Sequence, residues 1–293
     1  MARRRSSTAT ADVKRSASSQ PRADVLTADN PPGYRDLPFR LPDVTAAEKA
    51  RARKVFNALQ ARHPDAHCEL RFDSPHELLI ATILSAQSTD VAVNKVTPAL
   101  FAAFPTPADF ANATPKDIEP YIKTIGLFRN KAKHIHGAMS AIVERHGGDV
   151  PDTMDELLTL PGVARKTAGV VLSEAFGINM GVVVDTHVQR VAARLGLVEP
   201  DMTVAMIERR LMALYPREKW RLLSHLLIFH GRRVSKARGY SDDDAFNDPV
   251  SSTYSSAAKE HQRRVRDERK RAQRTEAAAA RRNAANSKGS RPR

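Results

Sequence analysis

Residues 160–168 read Leu-Pro-Gly-Val-Ala-Arg-Lys-Thr-Ala, and this stretch decides the fold. Leu160 ends one apolar segment, the Pro161-Gly162 pair forms a tight turn, and a second helix begins directly after it. Backbone N–H groups at the start of that second helix have no partner within the helix, and the helix dipole favours an anion beside them. The stretch therefore predicts a helix–hairpin–helix that binds phosphate without reading base sequence.

Helix signals continue on both sides of this stretch, beginning at about Leu37. Helix starts are marked by Ser or Thr followed three residues later by an acidic residue, as in Thr45–Glu48 and Ser74–Glu77. The strand-like run Val182–Val184 is short and has no obvious partner. The sequence therefore predicts an all-α protein of about ten short helices.

The formal net charge of +14 is concentrated at the two ends of the chain. Residues 1–36 hold 7 Lys and Arg against 4 Asp and Glu, and residues 259–293 hold 13 against 4. Residues 37–258 are nearly neutral, with 27 against 25. The total charge favours nucleic acid as a partner, and we expect the central part to recognise it through backbone amides and local arrangement.

The two ends also differ from the centre in composition. Residues 1–36 are rich in Ser, Ala and Arg, and we expect a disordered basic tail there. Its aspartates and its lack of an apolar stripe weigh against a transit peptide, although organellar targeting stays open. Residues 241–293 are interpreted as an acidic linker and a basic tail. No apolar run approaches the ~18–20 residues that span a bilayer, which excludes a membrane protein. We expect a monomer in the cytoplasm, associated with the nucleoid if the source is a bacterium.

Cysteine is almost absent from this chain of 293 residues, since Cys68 is its single thiol. One thiol excludes a disulfide framework, a Cys-rich zinc site and a cysteine-ligated iron–sulfur cluster within the chain. We therefore expect neither a cofactor nor a metal.

A lysine and an aspartate suggest the chemistry. Asp185, in the run Val-Asp-Thr-His-Val at 184–188, follows Lys166 by nineteen residues. A neutral amine can attack the anomeric carbon of a deoxyribose and expel the base, and the resulting Schiff base can undergo β-elimination. A carboxylate can stabilise the oxocarbenium-like charge or help to activate the amine. The alternatives are structural, because Lys166 could contact phosphate and Asp185 could cap a helix.

Four motifs, in order along the chain, resemble the endonuclease III family of DNA glycosylases: Leu84–Asp90, Tyr121–Leu127, Leu160–Ala168 and Val184–Val188. The resemblance covers roughly residues 45–238. It implies a bifunctional DNA glycosylase and abasic-site lyase that excises oxidised pyrimidines in base-excision repair. The implied partner is double-stranded DNA that contains damaged bases or abasic sites.

The resemblance also implies two helical lobes with a DNA cleft between them. One is a six-helix lobe at residues 71–184 that contains the helix–hairpin–helix. The other is a discontinuous lobe of N- and C-terminal helices, made of residues 37–70 and 185–240.

Family positions assign roles to individual residues of this chain. The resemblance implies that Lys166 is the nucleophile and that Asp185 is its acidic partner. Gln87 matches the residue that enters the space left by the flipped nucleotide, and Leu127 matches the wedge in the opposite strand. Such insertions help to offset the few kcal/mol that base extrusion costs. The predicted DNA-binding set is completed by His187 and by the hairpin residues Gly162, Val163, Ala164 and Arg165.

Two departures from the family pattern stand out. Ala164 replaces the second glycine of the family's hairpin, which places a methyl group near the phosphate site. Ser235 stands where the first cysteine of the family's four-cysteine iron–sulfur loop would be, and no cysteine follows it. The resemblance therefore implies a family member without the cluster.

Other functions remain open at this point. One alternative is a non-catalytic DNA-binding module, which the presence of both Lys166 and Asp185 disfavours. Another is a glycosylase for a different lesion, namely mismatched adenine, mismatched thymine or a pyrimidine dimer. Adenine-removing relatives lack the hairpin lysine, so Lys166 argues against that substrate.

Overall fold

The computed structural model describes residues 30, 31, 33–238 and 250. The chain divides into two compact units, Met1–Leu41 and Pro42–Arg293. Residues 1–29 of the tail expected at 1–36 lie outside the described residues, and so does all of the expected segment 241–293 except residue 250.

In the first unit, turns form around the side chain of Asn30, which is almost completely buried. Its Nδ2 donates to the carbonyl of Phe39 at 2.8 Å, and its Oδ1 accepts from the N–H of Leu41 at 2.8 Å. One polar side chain thus satisfies the backbone groups of a segment without regular secondary structure.

The second unit is helical, and no strand occurs among its described residues, which confirms the all-α prediction. A single turn of 3₁₀ helix, Arg217–Lys219, precedes the last helix. The helices are α1 (Ala46–Arg62), α2 (Pro75–Ser85), α3 (Asp90–Ala103), α4 (Pro107–Asn112), α5 (Pro115–Ile122), α6 (Phe128–His146), α7 (Met154–Leu158), α8 (Arg165–Ala175), α9 (Thr186–Arg194), α10 (Val204–Leu214) and α11 (Trp220–Arg233).

The helices begin where the sequence signals place them. At the start of α1, the N–H of Glu48 donates to Thr45 Oγ1, and the Glu48 carboxylate accepts from the Thr45 N–H at 2.7 Å. At the start of α2, Ser74 Oγ accepts from the N–H of Glu77, and Pro75 occupies the first turn. Each cap satisfies N–H groups that the helix itself leaves without partners, which is why these short segments begin at defined residues.

Helix packing falls into two groups. Helices α2 to α8 surround a core whose fully buried members include Leu78, Phe110 and Ile135. Helices α1, α9, α10 and α11 pack on one another, with Phe56 and Trp220 buried. Each such side chain contributes ~1.5–3 kcal/mol on burial. The lobe boundaries at residues 71–184 remain a prediction.

None of the described helices combines the length and the apolar character that crossing a membrane requires.

Candidate active site

A cavity of about 530 Å³ lies beside the start of α8. Its wall combines the loop before α2, the loop after α2, the start of α9 and one side of α11. Four of the predicted site residues line it: Gln87, Lys166, Asp185 and His187. The structure thus brings together residues that lie up to 100 positions apart in the chain.

Lys166 lies in the first turn of α8 and is exposed. Its ammonium makes no hydrogen bond or ion pair with any residue that the structure describes. The N-cap of α8 is Ala164, whose methyl group cannot accept a hydrogen bond, so no side chain caps this helix. Both the amine and the first N–H groups of α8 are therefore free to meet DNA.

Asp185 is the N-cap of α9 and lines the same cavity. Its Oδ1 accepts a hydrogen bond from the N–H of Val188 at 2.8 Å. The cap fixes the side-chain rotamer and leaves Oδ2 without a partner among the described residues. The capping role that the sequence allowed is present, and it is compatible with a carboxylate that faces a substrate.

His187 lies in the first turn of α9 and is held by its neighbours. Arg190 Nη2 lies 3.1 Å from His187 Nδ1. Burial lowers the pKa of His187, while the negative charge of Asp185 opposes the shift. A neutral imidazole at pH 7 can donate a hydrogen bond to DNA, and it packs closely against the backbone of Gly231.

Gln87 and Leu127 share an unusual backbone conformation. They are the two non-glycine residues with positive φ among the described residues, at 56° and 59°. This left-handed conformation costs such residues about 1–3 kcal/mol each and is concentrated at functional sites. Both side chains are exposed, Leu127 to 61%. The strain and the exposure are consistent with side chains that enter DNA, although Leu127 lies outside the cavity wall.

The hairpin turn depends on Gly162, which has a φ of 76°. A Cβ atom at this position would lie 2.7 Å from the Cβ and Cγ atoms of His134 on α6. Val163 is buried, so its side chain packs in the core and only its backbone is available to a phosphate. Ala164 is exposed, as expected for a residue at the phosphate site.

Arg165 makes a contact that the sequence did not indicate. Its Nη2 lies 3.0 Å from Oε1 of Glu208 on α10, and its Nε lies 3.2 Å from Oε2. Gly181 makes room for this pair, because a side chain there would collide with the Glu208 carboxylate. The predicted DNA contact of Arg165 stays a prediction, and the structure shows that its guanidinium also joins α8 to α10.

Comparison with known proteins identifies relatives of this chain. A family model described as "HhH-GPD superfamily base excision DNA repair protein" matches residues 80–217. Endonuclease III of Synechocystis sp. is 52% identical over 193 residues, which cover 66% of this chain and 88% of that protein. Endonuclease III of Bacillus subtilis is 47% identical over 175 residues, covering 60% of this chain and 80% of that protein.

The chain belongs to the endonuclease III family.

Solved structures agree with this family assignment. A non-covalent Endonuclease III–DNA complex aligns with a TM-score of 0.68 and 41% identity, covering 75% of this chain and 100% of that chain. A trapped Endonuclease III–DNA covalent intermediate aligns with a TM-score of 0.65 and 42% identity, covering 71% of this chain and 94% of that chain.

The segment after α11 in this endonuclease III-like chain does not fit an iron–sulfur cluster. Ser235 is buried, and its Oγ accepts a hydrogen bond from Arg194 Nη1 at 2.8 Å. Arg190 Nη2 donates to the carbonyls of Gly231 and Ser235, and Arg194 also donates to the carbonyl of Lys236. No group of three or more potential metal ligands occurs in the part of the chain that the structure describes. Guanidinium groups of α9 therefore hold this segment directly.

Cavity residues outside the motifs include Glu174 and His225, which the sequence did not indicate, and Cys68, which stood out there only as the single thiol. Glu174 and His225 both line the cavity and contact each other, with 2.8 Å between Glu174 Oε1 and His225 Nε2. Burial raises the pKa of the Cys68 thiol to about 11, so this thiol is protonated and unreactive at pH 7. No spacing signal could have found them, because they lie on three different elements.

Proposed function

We propose that this chain is a bifunctional DNA glycosylase and abasic-site lyase that excises oxidised pyrimidines in base-excision repair. The observation that carries the proposal is the unpartnered Lys166 ammonium, which shares one cavity with the Asp185 carboxylate. An exposed lysine is ordinarily solvated, so the cavity shared with a carboxylate is what distinguishes Lys166, and its free amine meets the requirement for a nucleophile.

In this proposal the DNA lies in a cleft between the two lobes, with the lesion at the cavity. Elements assigned to both lobes line that cavity, including Cys68 and Asp185 from one lobe and Lys166 from the other. N–H groups of the hairpin bind the phosphate backbone without regard to sequence. A volume of about 530 Å³ is within the range of ~300–1,000 Å³ that is typical of small-ligand sites, so it suits a flipped nucleoside.

The chemistry begins when the neutral amine of Lys166 attacks C1′ of the flipped nucleotide. The C1′–N bond breaks and the base leaves with the bonding electrons and a proton. The Asp185 carboxylate stabilises positive charge at C1′ as this bond breaks, accepts one proton from the amine and passes it to the departing base. The C1′–O4′ bond then breaks, the second amine proton moves to O4′, and a Schiff base links C1′ to Nζ.

β-Elimination completes the reaction. A water molecule accepts a proton from C2′, the electrons of that C–H bond form the C2′–C3′ double bond, and the C3′–O bond breaks to release the strand as a 5′-phosphate. Water then hydrolyses the Schiff base and frees Lys166. No metal or redox partner is required to balance these steps.

Reduction of the Schiff base tests the proposal. The protein is incubated with a thymine-glycol duplex and sodium borohydride, which converts the imine into a stable amine, and the products are separated on a denaturing gel. We expect a covalent protein–DNA adduct from the wild type and from Lys95→Ala, an exposed lysine on α3. Lys166→Ala should yield none. An adduct of equal strength from Lys166→Ala, or none from the wild type, would overturn the assignment.

The same assay separates the remaining functions. A mobility shift of damaged duplex without any adduct identifies a non-catalytic DNA-binding module. Duplexes that carry mismatched adenine, mismatched thymine or a pyrimidine dimer replace thymine glycol in parallel reactions, and a faster adduct with one of them identifies another lesion. We further propose that the protein works in the cytoplasm of a bacterium, at the nucleoid where its DNA substrate lies.

A further inference from the structure

Lys131 is a buried cation that the reaction does not use. It lies in the first turn of α6, and only 4% of the residue is exposed. Its Nζ donates three hydrogen bonds: to the carbonyl of Leu84 at 2.8 Å, to the carbonyl of Ala86 at 2.6 Å and to Ser88 Oγ at 3.1 Å. A lysine is seldom this buried unless its ammonium is paired, and here all three donors are used.

These bonds cap the end of α2. The last carbonyls of a helix have no partner within it and carry the negative end of its dipole. Helix α2 has no basic residue in its own last turn, so Lys131 supplies the cation from 47 positions away. Two of its acceptors, Ala86 and Ser88, are the immediate neighbours of Gln87 and hold that residue from both sides.

The backbone of Lys131 holds the other strained residue. Its N–H donates to the carbonyl of Leu127 at 3.1 Å, which is the bond that begins α6. Leu127 itself is the N-cap of α6, with a φ of 59°. Lys131 therefore contacts both regions of positive φ in the described part of the chain. It binds Leu127 directly through its backbone, and it binds the two neighbours of Gln87 through its side chain.

We propose that Lys131 is a positioning residue for base extrusion, which holds the Gln87 loop and the Leu127 turn at a fixed spacing. Both side chains then enter the duplex together, one on each strand. The strain at both residues is borne by the folded scaffold before DNA arrives, so binding does not have to impose it. This inference rests on the proposed function and deepens it.

A comparison of two substrates tests the role. A thymine-glycol duplex requires both insertions, whereas an abasic site in single-stranded DNA has neither a stacked base to extrude nor an opposite strand. We expect Lys131→Met to slow the single-turnover reaction on the duplex about 10- to 100-fold, because small misplacement of such groups is costly. Cleavage of the single strand should stay within about twofold of the wild type.

Two matched variants accompany it. Lys116→Met removes an exposed lysine at the start of α5 and should change neither rate. In a Gln87→Ala, Leu127→Ala background, Lys131→Met should add less than about threefold to the loss on the duplex, since its effect passes through those two residues. The fluorescence of 2-aminopurine beside the lesion should no longer rise on binding of Lys131→Met.

The possible results are separable. Equal losses on both substrates, or no loss on the duplex, would overturn the inference while leaving the proposed function intact. A wild type that cleaves neither substrate would refute the proposed function itself. If Lys131→Met does not fold, Lys131→Arg replaces it, because a guanidinium keeps the charge but not the geometry of three bonds. A loss confined to the duplex supports the role, and any other pattern contradicts it.

Discussion

The start of α8 and the end of α11 are built on opposite principles. At the start of α8, Lys166 is exposed and its ammonium has no partner among the described residues. At the end of α11, Ser235 is buried, and its hydroxyl and carbonyl accept hydrogen bonds from Arg194 and Arg190. The difference indicates that the group proposed to react with DNA is left without a partner, whereas the buried polar groups after α11 are hydrogen-bonded. Activity and stability should therefore respond to different substitutions.

Asp185→Asn gives the largest expected effect, and it should affect activity alone. Asn caps a helix as well as Asp does, so the free energy of unfolding should change by less than about 0.5 kcal/mol. The amide carries no negative charge, so single-turnover excision should fall by ~10²–10⁴-fold. Thermal denaturation and excision of thymine glycol measure both quantities.

Exposed Asp201 provides the control, since Asp201→Asn should leave excision and stability unchanged. Loss of activity in Asp185→Asn accompanied by an equivalent loss of stability would mean that the carboxylate serves the fold only.

Gly162→Ala should damage both properties, because the hairpin belongs to the site and to the core. The left-handed φ and the collision with His134 together should cost about 2–4 kcal/mol. Affinity for undamaged duplex DNA, measured by fluorescence anisotropy, should fall by a similar factor for every base sequence, because the hairpin contacts only phosphate.

The matched substitution is Gly169→Ala within α8, where a Cβ would make an ordinary contact of 3.5 Å with Val183. It should raise stability by about 0.5–1 kcal/mol, since alanine favours a helix interior. A Gly162→Ala protein as stable as the wild type would contradict the left-handed turn.

Arg194→Ala should reduce stability and leave the chemistry intact. It removes the donor to buried Ser235 Oγ and to the carbonyl of Lys236, a loss of about 1–3 kcal/mol in urea denaturation. Excision by the folded protein should stay within about twofold of the wild type, because Arg194 is absent from the cavity wall.

Two controls sharpen this result. Arg53→Ala, on the exposed side of α1, should change stability by less than about 0.5 kcal/mol. An iron chelator should leave Tm unchanged in every variant. A fall in Tm on chelation would show that a metal, and not the arginines, holds the segment.

Glu48→Gln has the smallest expected effect, and the difference from the wild type should disappear in acid. Hydrogen bonds from the Thr45 N–H and hydroxyl and from Arg210 lower the pKa of Glu48 to about 2. A lowered pKa means that the folded state favours the carboxylate, so this contribution is present above pH 4.5 and is lost as the pH falls toward 2. The side chain is 40% exposed, so the effect should stay below ~1 kcal/mol.

Urea denaturation between pH 2 and pH 6 measures it. The Glu48→Gln protein should lose less stability across this range than the wild type, while Glu144→Gln, on the exposed side of α6, should follow the wild type. Identical curves for all three would mean that the capping carboxylate does not contribute.

Local patterns predicted much of this molecule. The helix starts at Thr45 and Ser74, and the turn at Gly162, lie where the sequence analysis placed them. Membership of the endonuclease III family is confirmed by the relatives. The site was only partly foreseen. Lys166 and Asp185 share a cavity, and their catalytic roles stay predictions.

The other features of the site could not be predicted from the sequence, because they depend on contacts between segments that are distant along the chain. Nothing in the sequence marks Lys131 as buried, since an isolated lysine in a helix pattern is usually a solvated one. The left-handed backbone at Gln87 and Leu127 was equally hidden, because neither residue type favours that conformation. Arg165 was assigned to DNA, while its bond to Glu208 joins positions 43 residues apart.

The sequence by itself determined the helices, the hairpin and the lack of the four cysteines that a cluster of the family's type needs. Caps and turns act within a few residues, and a chain with one thiol cannot bind a four-cysteine cluster. Only the tertiary structure decided which charges are satisfied. Lys166 is left without a partner, Lys131 binds two carbonyls, and Arg190 and Arg194 close the end of α11. The physical reason is that a charge acts on the groups that packing brings near it, and the order of residues along the chain does not specify them.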